Sequence, residues 1–175
     1  MRGDAIHFEA TDQAIGRHTA SAALYTPDER LRRDSTRWTL VQGLLAPFQF
    51  LVFLVSLALV LRSLSTGDGG FAADVSVVIK TITLYAIMVT GSIWEKVVFG
   101  KWLFARAFFW EDVFSMLVLA LHTAYLVMLF GNFGSFEQRM QIALAGYLAY
   151  VVNATQFLLK LRAARLQAER EGAGA

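Results

Sequence analysis

The sequence predicts an all-α membrane protein, a bundle of four transmembrane helices with both termini cytoplasmic. Four apolar runs, at approximately 38–61, 75–94, 108–130 and 140–159, each hold about 20 residues or more, and at roughly 1.5 Å rise per residue that length crosses a hydrocarbon core of about 30 Å. The 175 residues are 56% hydrophobic and 17% charged, with a mean hydropathy of +0.48, and a soluble domain of this size has too little interior to hide such a composition. Basic residues cluster at alternate run ends: Arg30, Arg32, Arg33 and Arg37 before the first, Lys96, Lys101 and Arg106 between the second and third, Lys160, Arg162, Arg165 and Arg170 after the fourth. The opposite ends carry only Arg62 and Arg139, beside Asp68, Asp74 and Glu137, and that asymmetry places both termini in the cytoplasm.

The elements follow in order. Residues 1–25 mix Asp, Gln, Thr, Ala and two histidines without lasting periodicity, which predicts a disordered or loosely attached arm. The first 37 residues contain no apolar stretch of signal-peptide type, so the first run is expected to direct insertion itself. Thr26-Pro-Asp-Glu29 has the pattern of a helix start, with Thr26 as cap, Pro27 in the first turn and Glu29 three residues on, and predicts a short basic helix on the membrane surface. The first run then enters from the cytoplasm; Pro47 within it frees the carbonyl of Gly43 and predicts a kink toward a cavity. A Gly-rich turn at 65–70 leads to the second run. Residues 97–107, with Phe99, Trp102, Leu103 and Phe104, are expected to lie at the interface before the third run. A turn at 131–134 precedes the fourth, whose helix continues past Lys160 toward a flexible tail at 169–175. One membrane domain, 26–168, accounts for the whole folded unit.

Several classes of function are excluded. With no Cys there is no disulfide, thiolate or sulfur metal site. The net charge of +2 and pI near 9.1 do not point to nucleic acid, because the positive residues sit where topology needs them. Nucleotide-binding glycine motifs, HExxH and GxSxG are missing, and His7, His18 and His122 are too dispersed for a metal cage, so neither a cofactor nor a metal of the protein's own is expected.

The polar residues in and beside the runs remain. Charge at membrane depth is kept mainly where it has a partner or a task. Counted by depth, Glu95, Glu111, Asp112, Gln42, Gln156 and Lys160 gather near the cytoplasmic side, and Lys80 and His122 share a second level nearer the outside. Glu111, Ser115 and His122 share one stripe of the third run, with Glu111 and His122 about 16 Å apart along the axis. Asn153, Gln156 and Lys160 form a stripe on the fourth, and Gln42 and Gln49 lie seven apart on the first. Glu111 beside Asp112 is the least ordinary feature: adjacent acids at the mouth of a membrane helix repel, and a proton held by one relieves the repulsion. Plain alternatives exist for the others. Lys80 can snorkel outward, His122, Gln49, Asn153 and Gln156 can serve as interhelical hydrogen-bond glue, and Glu95 can form an interfacial pair with Lys96.

Six segments carry a resemblance: Leu24-Tyr-Thr-Pro-Asp-Glu-Arg30, the run from Trp38 to Arg62, Ile93-Trp-Glu-Lys-Val-Val-Phe-Gly100, Phe108-Phe-Trp-Glu-Asp-Val-Phe-Ser-Met-Leu-Val118, Leu121-His-Thr-Ala-Tyr125 and Asn153-Ala-Thr-Gln-Phe-Leu-Leu-Lys-Leu-Arg162. Together, over about residues 24 to 168, the chain resembles the 2-vinyl bacteriochlorophyllide hydratase family. The resemblance implies a hydro-lyase that adds water across the 3-vinyl group of chlorophyllide a or a bacteriochlorophyllide, giving the 3-(1-hydroxyethyl) pigment in bacteriochlorophyll a biosynthesis. It implies residence in the cytoplasmic or intracytoplasmic membrane of a photosynthetic bacterium, with pigment, water and lipid as partners. A homo-oligomer and contacts with other pigment-biosynthesis enzymes stay open.

Such a hydration needs an acid at the vinyl terminus and a polar group holding water against the neighbouring carbon. Glu111 is the expected acid, with Asp112 or Glu95 positioning water; Gln42, Gln49, Trp94, Trp110, Ser115, Asn153, Gln156 and Lys80 are expected around the pigment, and His122 as a possible axial ligand to its magnesium. The competing class is a non-catalytic membrane protein that binds or assembles a chlorophyll precursor or quinone through the same residues.

Overall fold

In a computed structural model of the chain, residues 24–173 are described. The expected arm, apart from its last two residues, and the last two residues of the tail lie outside them. Among the described residues there are five helices and no strand: α1 Pro27–Ser35, α2 Arg37–Thr66, α3 Gly70–Phe99, α4 Phe109–Phe130 and α5 Phe136–Ala173. The last four are long and apolar enough to cross a membrane.

Helix α1 starts as its sequence requires. The Thr26 hydroxyl accepts from the Glu29 amide, the Glu29 carboxylate accepts from the Thr26 amide at 2.8 Å, and Pro27 needs no amide partner in the first turn. Arg32 then donates to the carbonyl of Val98 at 2.9 Å, tying the surface helix to the end of α3. Leu24 and Tyr25 are part of the folded unit, two residues earlier than the sequence boundary: Tyr25 is buried, stacked on Phe99 and tilted against Phe108. An aromatic ring at this depth removes more apolar surface from water than any polar arm residue before it can.

Helix α2 runs without interruption through Pro47, which lies on an exposed face. It ends on Gly67 and α3 begins after Gly69, both at positive φ, the backbone that the expected glycine turn supplies. Helices α2 and α3 pack as one antiparallel hairpin and α4 and α5 as another, joined where α3 meets α4 and α2 meets α5. The core between them contains Phe53, Val60, Ala73, Val77, Tyr125, Met140, Ala143 and Tyr147, while Leu40, Leu44, Leu51, Ile82, Val127, Leu148 and Leu158 face outward, where lipid tails would cover them. Helix α5 carries on to Ala173, through the 168 boundary drawn from sequence.

Polar contacts inside the bundle fix the register. Ser56 of α2 hydrogen-bonds Ser76 of α3 at 2.8 Å and Tyr147 of α5 at 2.5 Å. Near the opposite end from α1, the Tyr125 hydroxyl donates to Asp74 at 2.5 Å and Arg139 reaches the other oxygen at 3.4 Å, so one carboxylate links α3, α4 and α5. With few apolar driving forces between helices in lipid, such bonds select which faces meet.

Candidate functional site

The loop of residues 100–108 between α3 and α4 is the frame of a carboxylate cluster. Gly100 caps α3 at φ 76°, and Phe104 stands at φ 58°, a conformation that costs a non-glycine residue about 1–3 kcal/mol and needs surrounding contacts to persist. Those contacts are acidic. The Phe104 amide donates to Asp112 Oδ2 at 2.6 Å and the Ala105 amide donates to Glu95 Oε2 at 3.2 Å. Glu95, from the last turns of α3, and Asp112, from the first turn of α4, are both buried and are held side by side by these adjacent amides. Two carboxyl groups can share a hydrogen bond only when one of them carries a proton.

Glu111 is also buried, but its environment differs. Lys160 of α5 donates to Glu111 Oε2 at 2.5 Å and to the carbonyl of Ala107, and its ammonium lies over the ring of Phe108. Glu111 therefore faces a full positive charge, whereas Glu95 and Asp112 face one another. Phe108 in turn packs on Trp94, Phe99, Tyr25 and Phe157, an aromatic plug beneath the cluster.

Deeper along α4 and α5 the polar stripe continues. Asn153 donates to Ser115 at 2.8 Å, leaving its Oδ1 buried without a protein partner, and Gln156 Oε1 is likewise unpartnered. Gln49 Oε1, from α2, is a third such oxygen. Buried amide oxygens are normally satisfied, and these three accept from no protein donor.

At the second level His122 is almost wholly buried, its ring beside Tyr147 and packed on the bare backbone of Gly146. Its Nδ1 lies 2.8 Å from the carbonyl of Val118. A carbonyl only accepts, so Nδ1 carries the hydrogen, and Nε2 holds a free lone pair with no protein partner. That tautomer is the one a metal ion binds, and the backbone bond that fixes it is the usual outer support of a ligating histidine. A Cβ at position 146 would stand 2.8 Å from His122 Cε1. Gly146→Ala is accordingly expected to push the imidazole aside and to lower the thermal stability of the purified protein, which a melting curve would read.

Lys80 shares this level, as its sequence depth implies, and it does not snorkel: it has no exposed surface and its ammonium stands 3.9 Å from the centre of the Tyr150 ring. The remaining expected residues divide. Gln42 donates to Thr90 at 2.7 Å and Trp94 donates to Thr39 at 2.9 Å, both in the half of the bundle nearer α1. Trp110 is 66% exposed on the outer surface of α4, turned away from the Glu111 side chain that follows it in sequence. Tyr147 and Tyr150 were not among the expected site residues, although they extend the Asn153 and Gln156 stripe at steps of three.

Comparison with known proteins adds the following. Residues 25–163 match the family described as 2-vinyl bacteriochlorophyllide hydratase. A protein of that name from Rhodobacter capsulatus is 65% identical over 152 residues, 87% of this chain and 88% of the relative, and one from Cereibacter sphaeroides is 66% identical over 146 residues, 83% and 91% of the two chains. No solved structure matches.

Proposed function

This chain belongs to the 2-vinyl bacteriochlorophyllide hydratase family, and from that premise we propose how its buried polar groups add water to the pigment's vinyl group. It is a hydro-lyase of bacteriochlorophyll synthesis with a multi-pass membrane domain. The substrate is a chlorophyllide or bacteriochlorophyllide bearing a vinyl arm, and the product carries a 1-hydroxyethyl arm in its place.

The Glu95–Asp112 pair is the proton source, and the observation that carries this is two buried carboxyl groups anchored side by side on the adjacent amides of Phe104 and Ala105. Transfer of that proton to the terminal vinyl carbon leaves a cation on the inner carbon, which the conjugated macrocycle stabilises. Water adds its oxygen there and gives up one proton, which returns to the now doubly ionised pair. The cycle closes on itself with no oxidant, reductant or resident metal. Glu111, expected from sequence to be the acid, is engaged by Lys160 and serves here to hold that side chain against the cluster.

His122 Nε2 is the axial ligand of the substrate's magnesium. Ten residues of α4 separate it from Asp112, about 15 Å along the axis. A ring ligated at His122 would present its vinyl arm toward the level of Ser115, Asn153 and Gln156, where the free amide oxygens accept hydrogen bonds from the attacking water and hold it against the inner vinyl carbon. Incubating the purified protein with vinyl chlorophyllide in ¹⁸O-water tests the assignment: the product should gain one labelled oxygen, and a pigment recovered unchanged from a protein that binds it would support a carrier instead.

The protein resides in the cytoplasmic or intracytoplasmic membrane of a photosynthetic bacterium, both termini cytoplasmic. Tags at either end should be reached only from the cytoplasm and a tag inserted at Gly69 only from outside, as the basic run ends require. Protection of the Gly69 tag in intact spheroplasts would reverse the topology.

A further inference from the structure

Lys80 carries a basic amine with no hydrogen-bond partner in the protein. It lies ten residues into α3, fully buried, and its Nζ has no hydrogen-bond acceptor in the protein. The neighbouring groups do not neutralise it: Tyr150 offers only its ring face, and His122, within electrostatic reach, is an imidazole with no negative charge to offer. The acid nearest in sequence, Asp74, is taken by Tyr125 and Arg139. A lone ammonium among apolar walls costs several kcal/mol unless an anion joins it, and intramembrane charges of this kind mark ligand sites.

Resting on the reading of the substrate given above, we propose that Lys80 binds the carboxylate of the pigment and so selects the free acid over its esters. A pigment named as an "-ide" carries a free carboxylate on a flexible arm, and esterification removes the charge while leaving the ring unchanged. The placement agrees with that geometry. Lys80 meets Tyr150 and His122 meets Tyr147, one turn apart on α5, and Phe53 touches both tyrosines, so the magnesium ligand and the cation flank one aromatic wall. From Tyr150 to Lys160 is a further ten residues, about 15 Å toward the carboxyl cluster. The carboxylate arm and the vinyl arm of one ring would then point to opposite ends of the same polar column.

The test is an equilibrium titration of the purified full-length protein with the magnesium vinyl pigment as free acid and as methyl ester, followed by a hydration assay on the same samples. Wild type should bind the acid about tenfold more tightly than the ester or better. Lys80→Met should bring the acid to the ester's affinity without changing the ester's, and Lys80→Arg should retain part of the preference. Equal affinities in the wild type, or a preference that survives in Lys80→Met, would overturn the proposal; the wild-type comparison decides it even if a variant does not assemble. Discrimination without hydration would leave the Lys80 site standing and remove the hydratase reading, whereas hydration of acid and ester alike with equal binding would do the reverse.

Discussion

Glu95→Gln is expected to lower the single-turnover rate of hydration by roughly 100- to 10,000-fold, about 3–5 kcal/mol in the barrier, with little change in pigment affinity. The substitution is nearly isosteric. The amide oxygen can still accept from the Ala105 amide, and the amide nitrogen can donate to Asp112, so the loop that stands at φ 58° on Phe104 keeps both anchors. What the amide cannot do is give up a proton and take one back. Asp112→Asn removes the other half of the pair and is expected to match it in the chemical step. Rapid mixing of enzyme in excess over pigment, with the product quantified after quenching, separates this loss from any change in binding or release.

His122→Ala is expected to weaken binding of the magnesium pigment by at least about 10- to 100-fold, the range lost when even the outer support of a metal ligand is removed. Binding of the metal-free pigment should be unchanged. The contrast follows from the tautomer: with Nδ1 committed to the Val118 carbonyl, the only free function of this side chain is the Nε2 lone pair, which a metal uses and a metal-free ring does not. Parallel titrations with the two pigments measure the ratio directly. At saturating pigment the chemical step should fall much less than in Glu95→Gln, because His122 stands about 15 Å along the helix from the acid pair.

The spans and their caps were legible because length, hydropathy and the Thr26–Glu29 spacing are properties of the chain alone. Depth was legible too, since rise per residue turns a position into a level: Glu95, Glu111, Asp112 and Lys160 meet at one end, and Lys80 and His122 further in. Direction across the bundle was not. Which acid faces Lys160 depends on how α4 is rotated against α5, and a single sequence carries no record of that angle. The same rotation turns Trp110 outward although its neighbours Glu111 and Asp112 are buried, because successive residues of a helix point about 100° apart. Lys80 shows the limit from another side: a lysine five residues inside a run has the reach to snorkel, and only its contact with Tyr150 settles that it turns inward. The amides of Phe104 and Ala105, which hold the carboxyl pair, come from a loop conformation that no local pattern announced.

The most direct test of the proton assignment is a side-by-side single-turnover measurement of Glu95→Gln and Glu111→Gln, each with pigment occupancy read by titration in the same preparation. Glu95→Gln should be all but inactive with pigment bound, while Glu111→Gln, which removes the partner of Lys160 and leaves Glu95 and Asp112 in place, should keep more than about a tenth of the wild-type rate. A Glu111→Gln protein that binds pigment and does not hydrate it, beside a Glu95→Gln protein that does, would contradict the account and return the acid to Glu111.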